Sequence, residues 1–127
     1  MKNEEKRIYP RLDLESGDGF FGNFTSNDGE TLVAQITTIS AGGLNMAVAE
    51  NAAGRLTVGE ILLLVSIAGG TNLSFLSHIK AEIRWAKRLD KPGYVSVGCT
   101  FLDLSEAGRE QLVQFVGAER IARGQYN

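Results

Sequence analysis

Sulfur and imidazole are scarce in this chain: its 127 residues include one cysteine, Cys99, and one histidine, His78. A lone cysteine excludes an internal disulfide framework and fits a reducing compartment. Together the two fall short of the ligand set of a Cys/His zinc site. Long apolar runs are also missing. The longest, Ile61 to Val65, is far below the roughly 20 residues of a membrane span. The charged start MKNEEKRIYPR leads into no apolar stretch of the kind that marks a secretory leader. Neither sign of charge dominates, with 13 Lys and Arg against 15 Asp and Glu for a net −2. A long nucleic acid is therefore not the expected partner, because a phosphate backbone calls for a surplus of cations. Aromatic residues make up only 8%, too few for the stacking platforms of a single-strand binder. These absences point to one cytoplasmic domain, and a 43% hydrophobic content is enough to build its core.

Glycine is plentiful, at 15 residues, well above the usual level of about 7%. Such an excess marks tight turns between short strands. LDLESGDGFFGNF reads as a strand broken by Gly17 and Gly19, and Asn27-Asp28-Gly29 as a turn. Residues 31–39, TLVAQITTI, are rich in β-branched side chains and read as a strand. Ser40-Ala41-Gly42-Gly43 breaks it before a strand from Leu44 to Ala49; a turn at 51–54 then leads to a buried strand from Glu60 to Ile67. In the next strand Ile79, Ala81, Ile83 and Trp85 fall on the apolar face, opposite Lys80, Glu82 and Arg84. Val95, Val97, Cys99 and Phe101 alternate in the same way with Ser96, Gly98 and Thr100.

The period then changes. Ser105 suits a helix N-cap, Glu106 the positive end of the dipole, and Leu112, Phe115 and Val116 follow helical spacing toward Arg120 and Arg123. The expected fold is all-β with one C-terminal helix: a six-stranded antiparallel barrel packed by an α-helix. Residues 1–11 are expected to form a flexible basic arm, and residues 12–123 the barrel domain, with its helix at about 105–123.

Catalysis is not expected. No Gly-x-Ser-x-Gly elbow and no phosphate loop ending in Gly-Lys occurs, and nothing in the spacing pairs His78 with Ser40. Cys99, on an apolar face, reads as a core residue.

Two short strings carry more information. Lys6-Arg7-Ile8-Tyr9-Pro10-Arg11 is an Arg-x-x-x-Arg with a lysine before it, and Thr38-Ile39-Ser40-Ala41-Gly42-Gly43 ends one strand and starts the next. Taken with the Val-Gly-Cys-Thr-Phe strand and the Leu-Asp-Leu-Ser before the helix, they resemble the PilZ domain over nearly the whole chain. That family's pattern is Arg-x-x-x-Arg, then Asp or Asn-x-Ser-x-x-Gly, then Gly-x-x-Phe before the helix. Arg7, Arg11, Ser40, Gly43, Gly98 and Phe101 match it; Thr38 departs from it.

The resemblance implies a six-stranded barrel and, as ligand, the bacterial second messenger cyclic di-GMP, with no metal or other cofactor. It implies a site of Lys6, Arg7, Arg11, Thr38, Ser40, Gly43 and Gly98. Arginine suits this ligand because its planar fork pairs with phosphate oxygens, takes O6 and N7 of guanine together, and stacks on the base. Gly43 is expected to let the backbone approach the ligand, and Gly98 to clear space under a base. A threonine hydroxyl offers one contact where the family's Asp or Asn offers two, so micromolar affinity is expected. Two roles follow: a receptor whose arm closes over the nucleotide and which signals to a downstream protein partner, or a PilZ-fold adaptor that has lost the nucleotide and acts through protein contacts. A second basic group around Trp85, which includes Arg84, reads as a solvated face, a nucleotide contact or a surface for an acidic partner.

Overall fold

The computed structural model describes residues 9–69, 71–89 and 92–125. Lys6 and Arg7 lie outside the described residues. Among the described residues there are seven strands: β1 (Leu12–Asp13), β2 (Phe21–Thr25), β3 (Thr31–Ile39), β4 (Gly43–Ala49), β5 (Ile61–Ala68), β6 (Ile79–Arg88) and β7 (Tyr94–Phe101). A helical turn, α1 (Glu50–Ala53), follows β4, and a long helix, α2 (Glu106–Ala122), follows β7. The sheet runs β3-β2-β5-β6-β7-β4, and pairing of β4 with β3 closes it into a six-stranded antiparallel barrel. The two-residue β1 adds to the outside of this circuit by pairing Leu12 with Ile39 and Asp13 with Thr38.

Alternation builds the interior. Leu32, Ala34 and Ile36 of β3, Leu44, Met46 and Val48 of β4, and Leu62 and Leu64 of β5 point inward and are buried. They meet Ala81 and Ile83 of β6 and Val97, Cys99 and Phe101 of β7. The polar residues between them face out.

Helix α2 starts where the sequence indicates, with the Gly108 N–H donating to the Ser105 hydroxyl at 3.0 Å. Leu112 and Val116 are buried on its inner face, and the ring of Phe115 meets Phe20 at 6.5 Å between centroids. Each buried aliphatic side chain contributes about 1.5–3 kcal/mol. The helix end is also tied down by polar contacts. Gln125 accepts from the Asp13 N–H at 2.9 Å and donates to the Asp13 carbonyl at 3.1 Å. Arg123 bridges Asp18 at 2.9 Å and Glu119 at 3.0 Å.

Three local expectations change. The stretch from Leu12 to Phe24 is two strands separated by a 3-10 turn at Ser16–Asp18, where Glu15 and Asp18 form a capping box. The 51–54 segment belongs to a helical turn rather than a simple reverse turn. Trp85 does not continue the inward face of Ile83. Between these two residues β6 holds one extra residue relative to β7, so Ile83 pairs with Cys99 and Trp85 with Gly98. This bulge at Arg84 turns the indole outward, where it is 40% exposed.

Candidate functional site

The outer surface of β3, β4, β7 and β6 forms the floor of a cavity of about 380 Å³, within the usual range for small-molecule sites. The strand register lays out one row across it: Thr38 pairs with Asn45, Asn45 with Gly98, and Gly98 with Trp85. Two bulges make the row possible. In β3, Ile36 pairs with Met46 but Thr38 pairs with Asn45, so Thr37 is the extra residue. Strict alternation from Leu32, Ala34 and Ile36 would send Thr38 into the core. The bulge sends it outward instead and lets Ile39 be buried. The bulge at Arg84 does the same for Trp85 on the far side.

The turn after β3 forms the rim. Its geometry is held by the Ser40 N–H donating to the Gly43 carbonyl at 2.9 Å and the Gly42 N–H donating to Ser40 Oγ at 3.1 Å. The Ser40 hydroxyl thus accepts from its own turn, and among the described residues it has no acceptor for its proton. Across the turn, Arg109 of α2 donates to the Ala41 carbonyl at 2.7 Å, and its guanidinium lies 5.5 Å from the centre of the Tyr9 ring. Tyr9 also packs on Gly42, where an added Cβ would stand 3.4 Å from the ring. Arg11 enters beside it. Its carbonyl accepts from Arg120 at 2.7 Å, and the next residue, Leu12, is fully buried. Tyr9 and Arg11, at the end of the expected arm, are therefore set against the barrel.

Of the residues expected from sequence, Arg11, Thr38, Ser40, Gly43 and Gly98 line this one cavity, while Lys6 and Arg7 lie outside the described residues. At two of these positions the protein's own packing calls for glycine. An added Cβ at Gly43 would overlap the carbonyl of Cys99, so this glycine serves the close approach of β4 to β7. At Gly98 the Trp85 indole occupies the place that a side chain would take, so the bare Cα makes room for the ring. Both glycines are required by the protein's own packing.

The cavity also has walls that the linear patterns did not assign to it. Tyr9, Asn45 and Trp85 line it, and so does Arg84. Arg84 could be singled out in sequence as a basic residue near Trp85; Asn45 carries no sequence signal beyond lying two residues past Gly43. Arg11 and Arg84 are the charged residues among the described lining, which includes no carboxylate. The site is thus electropositive within a chain of net charge −2. The Cys99 thiol is on the core side, and burial pushes it up to about 12, so at neutral pH it is a thiol and not a nucleophile. Among the described residues no three His, Cys, Asp or Glu side chains gather as a metal would require.

The sequence model of the PilZ domain matches residues 22–118, more than half of the chain. The chain belongs to the PilZ domain family. No curated protein matches it significantly, but solved structures do. The PilZ domain with c-di-GMP of YcgR from Escherichia coli superposes with a TM-score of 0.72 at 21% identity, covering 95% of this chain and 97% of that one. The Bacillus subtilis inhibitor of motility, MotI/DgrA, gives a TM-score of 0.71 at 18% identity over 93% of this chain and 53% of its own. The MrkH–c-di-GMP complex of K. pneumonia gives 0.67 at 16% identity over 97% and 56%. This PilZ domain thus spans about half the length of the latter two. At such identities the likeness concerns the fold, and the barrel with its C-terminal helix is shared. Among the described residues no helix is long and apolar enough to cross a membrane.

Proposed function

We propose that this PilZ domain is a receptor for cyclic di-GMP. The observation that carries the reading is the convergence of Arg11, Thr38, Ser40 and Arg84 on one cavity whose described lining holds no carboxylate. A compact dianion with two guanines needs positive charge, hydroxyl donors and planar groups for its bases. Arg11 and Arg84 supply forked donors to phosphate or to the O6/N7 edge of guanine. In this reading the Ser40 hydroxyl donates to a phosphate oxygen. Chemical precedent comes from the YcgR PilZ domain and MrkH, both described with c-di-GMP.

In this reading the segment before Tyr9 closes over the nucleotide and brings Arg7 and Lys6 to it, gaining order as it binds. Output passes to a downstream protein partner through the changed surface. Arg109 offers a route, because one side chain of α2 holds both the Ala41 carbonyl and the Tyr9 ring at the rim. The domain acts by binding, not by catalysis.

Calorimetric titration of the full chain with cyclic di-GMP tests the proposal. Saturable heat with micromolar affinity is expected, and no heat at high micromolar nucleotide from folded protein overturns it. Thr38 favours a second reading, an adaptor that keeps the barrel without the nucleotide. The variant Thr38→Asn separates the two: a folded wild type that is silent and stays silent in this variant supports the adaptor.

A further inference from the structure

We infer that Asn45 makes the two-point contact to a guanine edge that Thr38 is too short to make; the inference rests on the cyclic di-GMP reading above. The two residues are register partners on β3 and β4, so their side chains stand side by side on the floor of the cavity. Thr38 has another register partner, Asp13 on β1, but Asp13 is not part of the described lining. Asn45 therefore holds the central position of the row, between Thr38 and Gly98. Because Gly98 has no side chain and the Trp85 indole covers it, Asn45 is flanked by a short hydroxyl on one side and a flat aromatic wall on the other.

Its hydrogen-bonding state differs from that of a structural asparagine. Asn23, on the outer face of β2, donates to the Ser66 hydroxyl at 3.0 Å, and Ser66 is its register partner on β5. Asn45 has glycine on one side and threonine on the other, and among the described residues its amide makes no hydrogen bond. A half-buried amide with an open donor and an open acceptor is suited to a ligand edge that presents the complement. Guanine does so: its O6 accepts from the amide N–H while its N1–H donates to the amide oxygen. That leaves the O6/N7 side to an arginine, and Arg84 and Arg11 line the same cavity.

The test is calorimetric titration of the full chain, comparing wild type with Asn45→Ala, Asn45→Asp and Thr38→Ala, each checked for native circular dichroism. With cyclic di-GMP, Asn45→Ala is expected to weaken binding by roughly 5- to 150-fold, and Thr38→Ala by less than about threefold. A second ligand, cyclic di-inosine monophosphate, lacks the guanine 2-amino group and reads the contact directly. Wild type, using O6 and N1–H, should bind the two ligands within about threefold of each other. Asn45→Asp offers two acceptors, which fit N1–H and the 2-amino group, so it should favour cyclic di-GMP by about fivefold or more. Wild-type affinity in Asn45→Ala overturns the inference, as does a Thr38→Ala loss equal to or larger than the Asn45→Ala loss. Should Asn45→Ala not fold, an unchanged ligand preference in Asn45→Asp overturns it. Silence of wild type toward both ligands is a different result, which removes the receptor reading and this inference with it.

Discussion

The Trp85 indole occupies the place that a side chain on Gly98 would take, directly across the β6–β7 pairing. A tryptophan that alternation assigns to the core is thereby held on the outer face, as one wall of the candidate site. Two features act together: an extra residue at Arg84 turns the side chain outward, and the bare Cα of Gly98 lets the ring lie down on the sheet.

Substituting Gly98→Ala should therefore displace the indole. The cost is expected to be about 1–3 kcal/mol of stability, the usual penalty for overpacking. Because Trp85 is the sole tryptophan, its emission spectrum reports the displacement while urea unfolding reports the cost. Adding Trp85→Ala to Gly98→Ala should recover most of the loss, and purely additive effects would show that the two residues do not interact.

Gly43→Ala should be worse tolerated. The atom in the way is a strand carbonyl, that of Cys99, and not the movable edge of a side chain. A loss of about 3 kcal/mol, or on the order of 10 °C in thermal midpoint, is expected. Gly17→Ala is the control. Its added Cβ meets nothing within 4 Å, so it should change stability by less than about 0.5 kcal/mol. Equal midpoints for the two variants would contradict the close-approach role of Gly43.

The Cys99 thiol should resist alkylation. Burial pushes it up to about 12, which at pH 8 leaves a thiolate fraction about 1000-fold below that of a free cysteine. Iodoacetamide should react slowly with native protein and rapidly in denaturant. Linkage gives the sign of the stability effect. The folded thiol is the harder to ionise, so its contribution is complete below the unfolded value near 8.5 and is lost as pH rises toward 12. Rapid native labelling at pH 8 would count against a core position.

On the acid side, Asp18 should matter. The Glu15 N–H, at 2.7 Å, and then the Arg123 guanidinium hold its carboxyl below the usual carboxylate range. A lowered folded value means that the contribution is present above about pH 4 and is lost as pH falls through the folded value. Asp18→Asn should therefore narrow the stability difference between pH 6 and pH 3 relative to wild type, measured by urea midpoints at both pH values. The same pH dependence in both proteins would rule Asp18 out as a contributor.

The barrel and its helix were legible in the chain because their determinants are local. Period-2 alternation marks the inward faces of β6, as far as Ile83, and of β7, β-branched residues mark β3, an apolar run marks β5, and glycine-rich breaks separate several of the strands. Ser105 followed by helical spacing announces α2. The candidate site was legible in part for the same reason: Arg11 and the Thr38-to-Gly43 string lie at strand ends, where a short motif survives as a short piece of structure. Asn45 left no such mark, since its meaning depends on which residues its neighbouring strands place beside it.

Order and spacing in the sequence alone determined that there would be a closed sheet, a capped helix and an arginine before the first strand. Only the tertiary structure decided what the site is made of. A bulge at Thr37 and another at Arg84 reverse the facing of Thr38 and Trp85, and closure of β4 against both β3 and β7 sets Asn45 between them. Alternation is a property of one strand, whereas a bulge is chosen by the register of two. The register of a closed barrel is in turn a compromise among all six, so no single stretch of sequence records it.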